Sequence, residues 1–375
     1  MAIGMKASST GSANDFKTGN RARTMITKVK KIIRKYGLDD KSWAEAISSQ
    51  YFLLCLAKQL KLEKHDYENL INKCLKPFRV TYEFELVLDD KEILITPEET
   101  DRITKCMQEE DEKDSYYKRS AKMQAVNINP QLMYQNFHFG LLVRNATTKE
   151  SDVLNKVKTL CLNRLVSDES IDTSGGWYPY RVPWITGRIL ISLKSIDFSQ
   201  YQNADKLDEI IDDAIDSLYQ RINEDYAYWR SGVGDWVTKW ESTALCLEAL
   251  YVWDSMRDHL KEIERIITYV CNEEQRQEWL ECKVDFSEAK SANAVLSAVT
   301  LASVVYRVTK QFYPESFERI NEEIIAFFDK VITQIDKQGV YNVQQYCTLP
   351  QILHYVVAAF ETDGEETSYE KSRLN

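Results

Sequence analysis

The chain has few of the residues that make tight turns. Its 375 residues include 12 Gly and 7 Pro, and an all-β protein built from many short strands would need more of both. The same scarcity argues against a collagen-like or disordered chain, and 44% hydrophobic residues is ordinary for a globular protein. We expect no membrane span, since no apolar run reaches roughly 18 residues, and the polar N-terminus lacks a secretory signal. The composition therefore predicts a helical, cytoplasmic protein.

The sequence also lacks the spacings of metal-binding motifs. Its eight cysteines are scattered without a CxxC pair, and it has only four histidines, whereas a zinc site needs clustered ligands. Cys347 and His354 lie seven residues apart, and we interpret them as packing residues rather than as a catalytic dyad. We therefore expect neither a metal nor a cofactor.

Positive charge is concentrated at one end of the chain. Residues 1–35 contain nine bases and one acid, which is a net charge of +8. Because the whole chain has a net charge of −10, the other 340 residues carry −18. An acidic body is a poor nucleic-acid binder, because phosphate contacts need concentrated Lys and Arg. The basic segment is either a solvated leader or an anion-binding arm, and we expect contact with nucleic acid only through it.

The N-terminal third combines helices with a single strand signal. Residues 1–23 are rich in small polar residues and predict a flexible basic arm. An amphipathic basic helix starts at Thr24 and ends at Gly37. It opens an N-terminal helical region, 24–125, in which alternating residues predict one β-hairpin at 78–97.

Residues 126–360 are repetitive, and an acidic tail, 361–375, follows them. Each unit has a Gly- and aromatic-rich loop, a short apolar helix and a longer amphipathic helix. A hydroxyl residue marks the short helix in each unit, at positions 186, 242, 291 and 348, and we expect it to cap that helix. An all-apolar helix must be buried and a helix with one charged face lies outside. The repeat therefore predicts inner and outer layers of helices.

Three of these segments resemble repeats of the α/α-toroid superfamily, which includes squalene–hopene cyclases and protein prenyltransferase β-subunits. They are the Gly175-Gly176-Trp177 loop, the Trp184-Ile185-Thr186 segment and the run from Trp240 to Leu250. The resemblance implies an all-α fold of helical hairpins in a complete or incomplete toroid.

The catalytic motifs of those families are missing. The chain has no Asp-x-Asp-Asp motif of the kind that protonates the substrate in cyclases. Cys271, Cys282 and Cys347 have no matching Asp and His partners for the prenyltransferase zinc site.

One acidic motif has the spacing that terpene synthases use to hold Mg²⁺. Asp212, Asp213 and Asp216 form a DDxxD pattern, which places carboxylates on one side of a helix. The apolar residues between them form the buried stripe, so we expect the aspartates to face outward. A metal site here is the less favoured alternative.

Aromatic residues cluster in the first two repeat units. They suit packing between helices, and they also suit recognition of a partner or an apolar ligand. Because aromatic residues in loops beside Gly are more exposed than those in helices, we select seven candidate binding residues at the toroid mouth. These are Trp177, Trp184, Arg188, Arg230, Trp236, Trp240 and Glu241.

Two classes of function remain open. The first is a non-catalytic scaffold that binds a protein or peptide partner at the toroid mouth, for instance as the accessory subunit of a larger microbial system. The second is an isoprenoid cyclase or prenyl-transfer enzyme with an atypical active site. The missing acid and zinc motifs favour the first, because catalysis needs positioned charges.

Overall fold

The structure is a computed structural model that describes part of the chain. The described residues are 13–38, 47–72, 158–159, 162–163, 165–166, 177, 183–194, 196, 198–222, 227–230, 238–338 and 348–360. Ten α-helices have both ends within them: α1 Ala13–Tyr36, α2 Ile47–Gln59, α3 Pro183–Lys194, α4 Ala204–Gln220, α5 Lys239–Val252, α6 Leu260–Val270, α7 Glu273–Trp279, α8 Ala289–Phe312, α9 Glu318–Gln338 and α10 Thr348–Ala358. These residues contain no β-strand, in agreement with the all-α prediction, and the predicted hairpin at 78–97 lies outside them.

Helix α1 starts earlier than the sequence pattern predicts. It begins at Ala13 rather than at Thr24, so residues 13–23, which we assigned to the flexible arm, are helical. Their Ala, Arg and Lys residues are good helix formers even without an apolar stripe. The predicted end is confirmed: Gly37 adopts φ 73°, and its N–H donates to the Ile33 carbonyl at 2.8 Å, as in a left-handed helix cap.

The apolar helices pack side by side in one layer. Helix α3 contacts α5, α5 contacts α8, α8 contacts α10, and α10 contacts α2. Helix α5 shows why: nine of its 14 residues are buried, and they lie on all of its sides. A helix of this kind is stable only when other helices surround it.

The amphipathic helices form a second layer outside the first. Helix α4 packs on α3, α6 and α9 pack on α8, and α1 packs on α9 and α10. Each of these helices buries a single stripe; in α6 the stripe is Ile263, Ile266, Ile267 and Val270. The N-terminal helices thus extend the layers of the repeats. The segment between α2 and α3 is mostly outside the described residues, so closure into a toroid stays a prediction.

Helix α8 lies at the centre of the inner layer. Its segment Lys290–Phe312 is long and apolar enough to cross a membrane, and it is the one such helix among the described residues. In its most apolar window 83% of the residues are buried against other helices. This is the usual environment of a core helix.

Helices α3 and α5 approach each other closely at Gly187. A Cβ atom at this position would lie 2.9 Å from the Leu245 carbonyl oxygen and 3.0 Å from the carbonyl carbon. The obstacle is backbone of the neighbouring helix, which cannot rotate away as a side chain can. Gly187 therefore permits the spacing between the first two inner helices.

We predict that Gly187→Ala destabilises the protein. Ala would add about 1 kcal/mol of helix propensity, but overpacking costs typically 1–3 kcal/mol, and contact with backbone belongs at the upper end. The free energy of unfolding in urea measures the net loss. Asn293→Ala, on the exposed side of α8, is the control and should be neutral or stabilising. A Gly187→Ala variant as stable as the parent would contradict the close packing.

Candidate functional site

Three buried tryptophans bind the ends of preceding helical segments: Trp177, which precedes α3, Trp229, which precedes α5, and Trp279, the last residue of α7. Trp177, Trp229 and Trp279 are at most 2% exposed. Their indole N–H groups donate to the carbonyls of Leu165 at 2.9 Å, Leu218 at 2.7 Å and Val270 at 3.0 Å. Leu218 and Val270 lie in the last turns of α4 and α6, where carbonyls lack a partner within the helix. Each of these tryptophans therefore donates a hydrogen bond to a backbone carbonyl, and its ring packs in the core.

Hydroxyl residues of the repeats also bind the backbone of Trp177 and Trp229 to the inner helices. The Trp177 N–H donates to the Thr186 hydroxyl at 3.4 Å, and the Trp229 N–H donates to the Thr243 hydroxyl at 3.3 Å. The equivalent of Thr186 in the second unit is thus Thr243, one residue after the predicted Ser242. The predicted capping role is wrong for both units, because these hydroxyls lie inside their helices. Thr238 caps α5 instead and accepts from the Glu241 N–H at 3.1 Å.

The seven predicted binding residues have different environments. Trp177 and Trp240 are both buried, so packing is their observed role. Arg230 is exposed, and its carbonyl accepts from the Ser242 hydroxyl at 3.2 Å. Trp236 lies outside the described residues. The remaining three, Trp184, Arg188 and Glu241, come together and are called the Trp184 triad.

The Trp184 triad joins α3 to α5 near the start of both helices. The guanidinium of Arg188 lies 4.9 Å from the centre of the Trp184 ring and forms an ion pair of 3.0 Å with Glu241. The second carboxylate oxygen of Glu241 accepts from the Ser297 hydroxyl of α8 at 3.4 Å. The Arg188 side chain is 30% exposed and that of Glu241 14%. The side chains of the triad are thus held by contacts with each other and with Ser297, and part of Arg188 is still accessible at the surface.

A lysine sits among aromatic rings beside the triad. Lys239, the first residue of α5, pairs with Glu278 at 2.8 Å, and its ammonium lies 4.3 Å from the centre of the Trp240 ring. The Trp240 indole N–H donates to the same carboxylate at 3.2 Å, and the centre of the Tyr228 ring lies 5.9 Å from the ammonium. Trp240 therefore supports the charged groups at the start of α5.

A second set of a glutamate, an arginine and an aromatic ring lies further along α5. Glu248 pairs with Arg307 of α8, and the Arg307 guanidinium lies 4.9 Å from the centre of the Tyr251 ring. Both charged side chains are nearly buried, at 12% and 11% exposure. The sequence analysis missed this set. The sequence does contain a signal for it, because Arg307 is the only charged residue between 291 and 309. A charge within such an apolar segment predicts a buried acidic partner.

The structure places the DDxxD aspartates away from the inner helices. Asp212, Asp213 and Asp216 are exposed, while the buried stripe of α4 includes Ile210, Ile211 and Ala214. Their outward orientation agrees with the expectation from the apolar pattern. No group of three His, Cys, Asp or Glu side chains among the described residues could hold a metal ion.

The described cysteines and His354 occupy packed environments. Burial raises the pKa of the Cys246 thiol well above its ordinary value and raises the pKa of Cys271 to about 12. The thiolate, which is the reactive form, is therefore scarce at neutral pH. His354 lies 3.0 Å from the Gln59 side-chain oxygen through Nδ1 and beside Phe52; Cys347 lies outside the described residues.

Comparison with models of protein families, with curated proteins and with solved structures gives no match.

We predict that Trp229→Phe destabilises the protein although it keeps an aromatic ring in the core. The change leaves the Leu218 carbonyl without its indole donor, and an unsatisfied buried polar group costs about 1–3 kcal/mol. Denaturant unfolding measures this loss. Trp184→Phe is the control, because Trp184 is half-buried, and it should cost less. Equal losses for the two variants would contradict the role of the indole hydrogen bond.

We predict that Cys246 and Cys271 resist alkylation in the folded protein. Each unit by which a pKa rises lowers the thiolate fraction tenfold, so iodoacetamide at about pH 8, near the ordinary thiol pKa, should leave both unmodified. Peptide mass spectrometry before and after denaturation in urea measures the modification. Cys282 is only half-buried and should react faster than either. Rapid native modification of Cys246 would contradict its burial.

Proposed function

We propose that this protein is a non-catalytic binding protein that recognises an acidic or aromatic protein segment at the Trp184 triad. The observation that carries the proposal is the ordered arrangement of Trp184, Arg188 and Glu241 between two inner helices, with part of Arg188 exposed.

The composition of the triad suits a protein interface. Tryptophan and arginine are enriched among the residues that dominate binding energy. Arg188 stacks on Trp184 and pairs with Glu241, so these side chains have already lost much of their rotamer freedom. Binding then avoids part of the cost of about 0.5–1.5 kcal/mol for each side chain that a partner would otherwise immobilise.

The electrostatics near the triad favour a negatively charged segment. Helices α3 and α5 begin at Pro183 and Lys239, so both N-terminal ends lie close to the triad. Each adds partial positive charge within its first turn. The two cations, Arg188 and Lys239, are matched by Glu241 and Glu278, and the helix ends therefore decide the sign of the local potential.

The charges of the triad suit recognition better than proton transfer. Arg188 and Glu241 neutralise each other across the contact between α3 and α5. Mg²⁺-dependent isoprenoid chemistry at the DDxxD aspartates loses its support, because these side chains point to solvent from the outer helix α4. The binding function is therefore the better supported of the two.

We predict that a selection of displayed short peptides on the folded protein enriches a common acidic or aromatic motif. Arg188→Ala should weaken the binding of these peptides by about 30-fold, which corresponds to the ~2 kcal/mol of a strong interface residue. Trp184→Ala should weaken it comparably. Fluorescence titration with the enriched peptide measures both affinities.

The control is Arg257→Ala, which removes an arginine from an exposed pair with Asp254 beyond the other end of α5. It should leave the affinity unchanged. Thermal unfolding of each variant separates lost binding from lost structure. Enriched peptides that bind equally well to folded Trp184→Ala and Arg188→Ala variants, or a selection without a common motif, would exclude the triad as the binding site.

A further inference from the structure

Helix α1 presents to solvent a row of bases that form no ion pair with the other described residues. We propose that this row is a nucleic-acid contact surface that binds the phosphate backbone without sequence preference. It is defined by Arg23, Lys30, Lys31 and Arg34 and is called the basic face. The inference is independent of the function proposed for the Trp184 triad, because the two involve different helices.

The orientation of α1 is set by its apolar stripe. Met25, Val29, Ile32 and Ile33 are at most 4% exposed and belong to the core. Helical spacing of 3.6 residues per turn places Arg23, Lys30 and Arg34 on the opposite side. Arg23, Lys31 and Arg34 are exposed and Lys30 is half-buried. The basic face therefore points away from the core.

The other lysines of α1 show what a structural role looks like. Lys28 pairs with Asp329 and Lys35 pairs with Asp336. Both pairs link residues 301 apart, so α1 and α9 run side by side in the same direction. In contrast, none of the four bases of the basic face forms an ion pair within the described part of the chain.

Self-repulsion makes this arrangement costly unless an anion is bound. Helix α1 contains eight bases and one acid, and like charges one turn apart destabilise a helix by about 0.2–0.5 kcal/mol per pair. Arg34 lies in the last turn, where the helix dipole favours a cation. Lys30 and Lys31, which each lie one turn from Arg34, have no such compensation.

The geometry favours a polyphosphate chain over the alternatives. From Arg23 to Arg34 the face extends about 16 Å along a rigid helix at 1.5 Å per residue, the length of roughly five base pairs at 3.4 Å each. Guanidinium groups bind phosphate in a bidentate manner. An in-plane membrane helix would need its apolar side for the lipid, but that side of α1 is buried in the core. The −18 of the remaining chain limits contact to this face.

The test measures the affinity of the full chain for a labelled duplex of about 20 base pairs as a function of salt. With four bases engaged, log K should fall with log salt at a slope of about −3 to −4. The variant Arg23→Gln/Arg34→Gln keeps good helix formers. It should bind at least tenfold more weakly and reduce the slope by about 2.

The matched control is Lys261→Gln/Arg265→Gln, which removes two exposed charges from the outer helix α6. It should bind like the parent, and circular dichroism should show both variants folded. The proposal is overturned if no duplex or single-stranded DNA or RNA binds at low salt, or if both variants lose equal affinity. It is also overturned if only vesicles of phosphatidylcholine and phosphatidylserine bind, or if the basic face mediates only self-association in sedimentation.

Discussion

The structure depends on the burial of α5 and α8, two helices that are apolar on nearly every side. Such helices cannot lie at a surface, because each would expose a face of Leu, Val and Ala to water. The neighbouring inner helices α3 and α10 cover their flanks, and α6 and α9 pack on α8 from outside. The order of the layers follows from this requirement. Gly187 then allows α3 to approach α5 closely enough to exclude solvent between them.

Burial of the inner helices also determines where charges can lie. Glu241 and Glu248 of α5 occur two turns apart on a helix with few other polar positions, and each finds an arginine on a different neighbour, Arg188 of α3 and Arg307 of α8. A buried charge without a partner would cost several kcal/mol. These pairs therefore favour the contacts of α5 with α3 and with α8. An aromatic ring beside each arginine shields the guanidinium from water. The triad proposed as a binding site is the more exposed of two such sets.

The sequence predicted helices well and side-chain roles less well. The amphipathic character of α4 and α9 follows from a 3.6-residue period, and the end of α1 follows from Gly37. The start of α1 at Ala13 carried no apolar signal, so the composition of the preceding segment was misleading.

The tryptophans show a second limit of sequence reasoning. Trp177 beside two glycines looks like an exposed loop residue, yet it is buried because its indole N–H reaches the Leu165 carbonyl. A hydrogen bond to the end of an earlier helix depends on how two layers meet, and neither periodicity nor spacing contains that information. Thr243 illustrates the same point. Whether Ser242 or Thr243 accepts the hydrogen bond from the Trp229 N–H depends on where Trp229 lies in the folded chain.

Charged residues on α1 and on the inner helices differ in whether they have an acidic partner among the described residues. In the inner layer Arg188 and Arg307 each have an acidic partner, so their charge is used by the fold. On α1, Lys28 and Lys35 likewise form ion pairs with aspartates of α9. These pairs attach one side of α1 to α9. The bases on the outward side of α1 form no ion pair with the other described residues, and a bound polyanion would relieve their mutual repulsion. The charge that the described residues leave uncompensated is therefore where an anionic partner would contribute most.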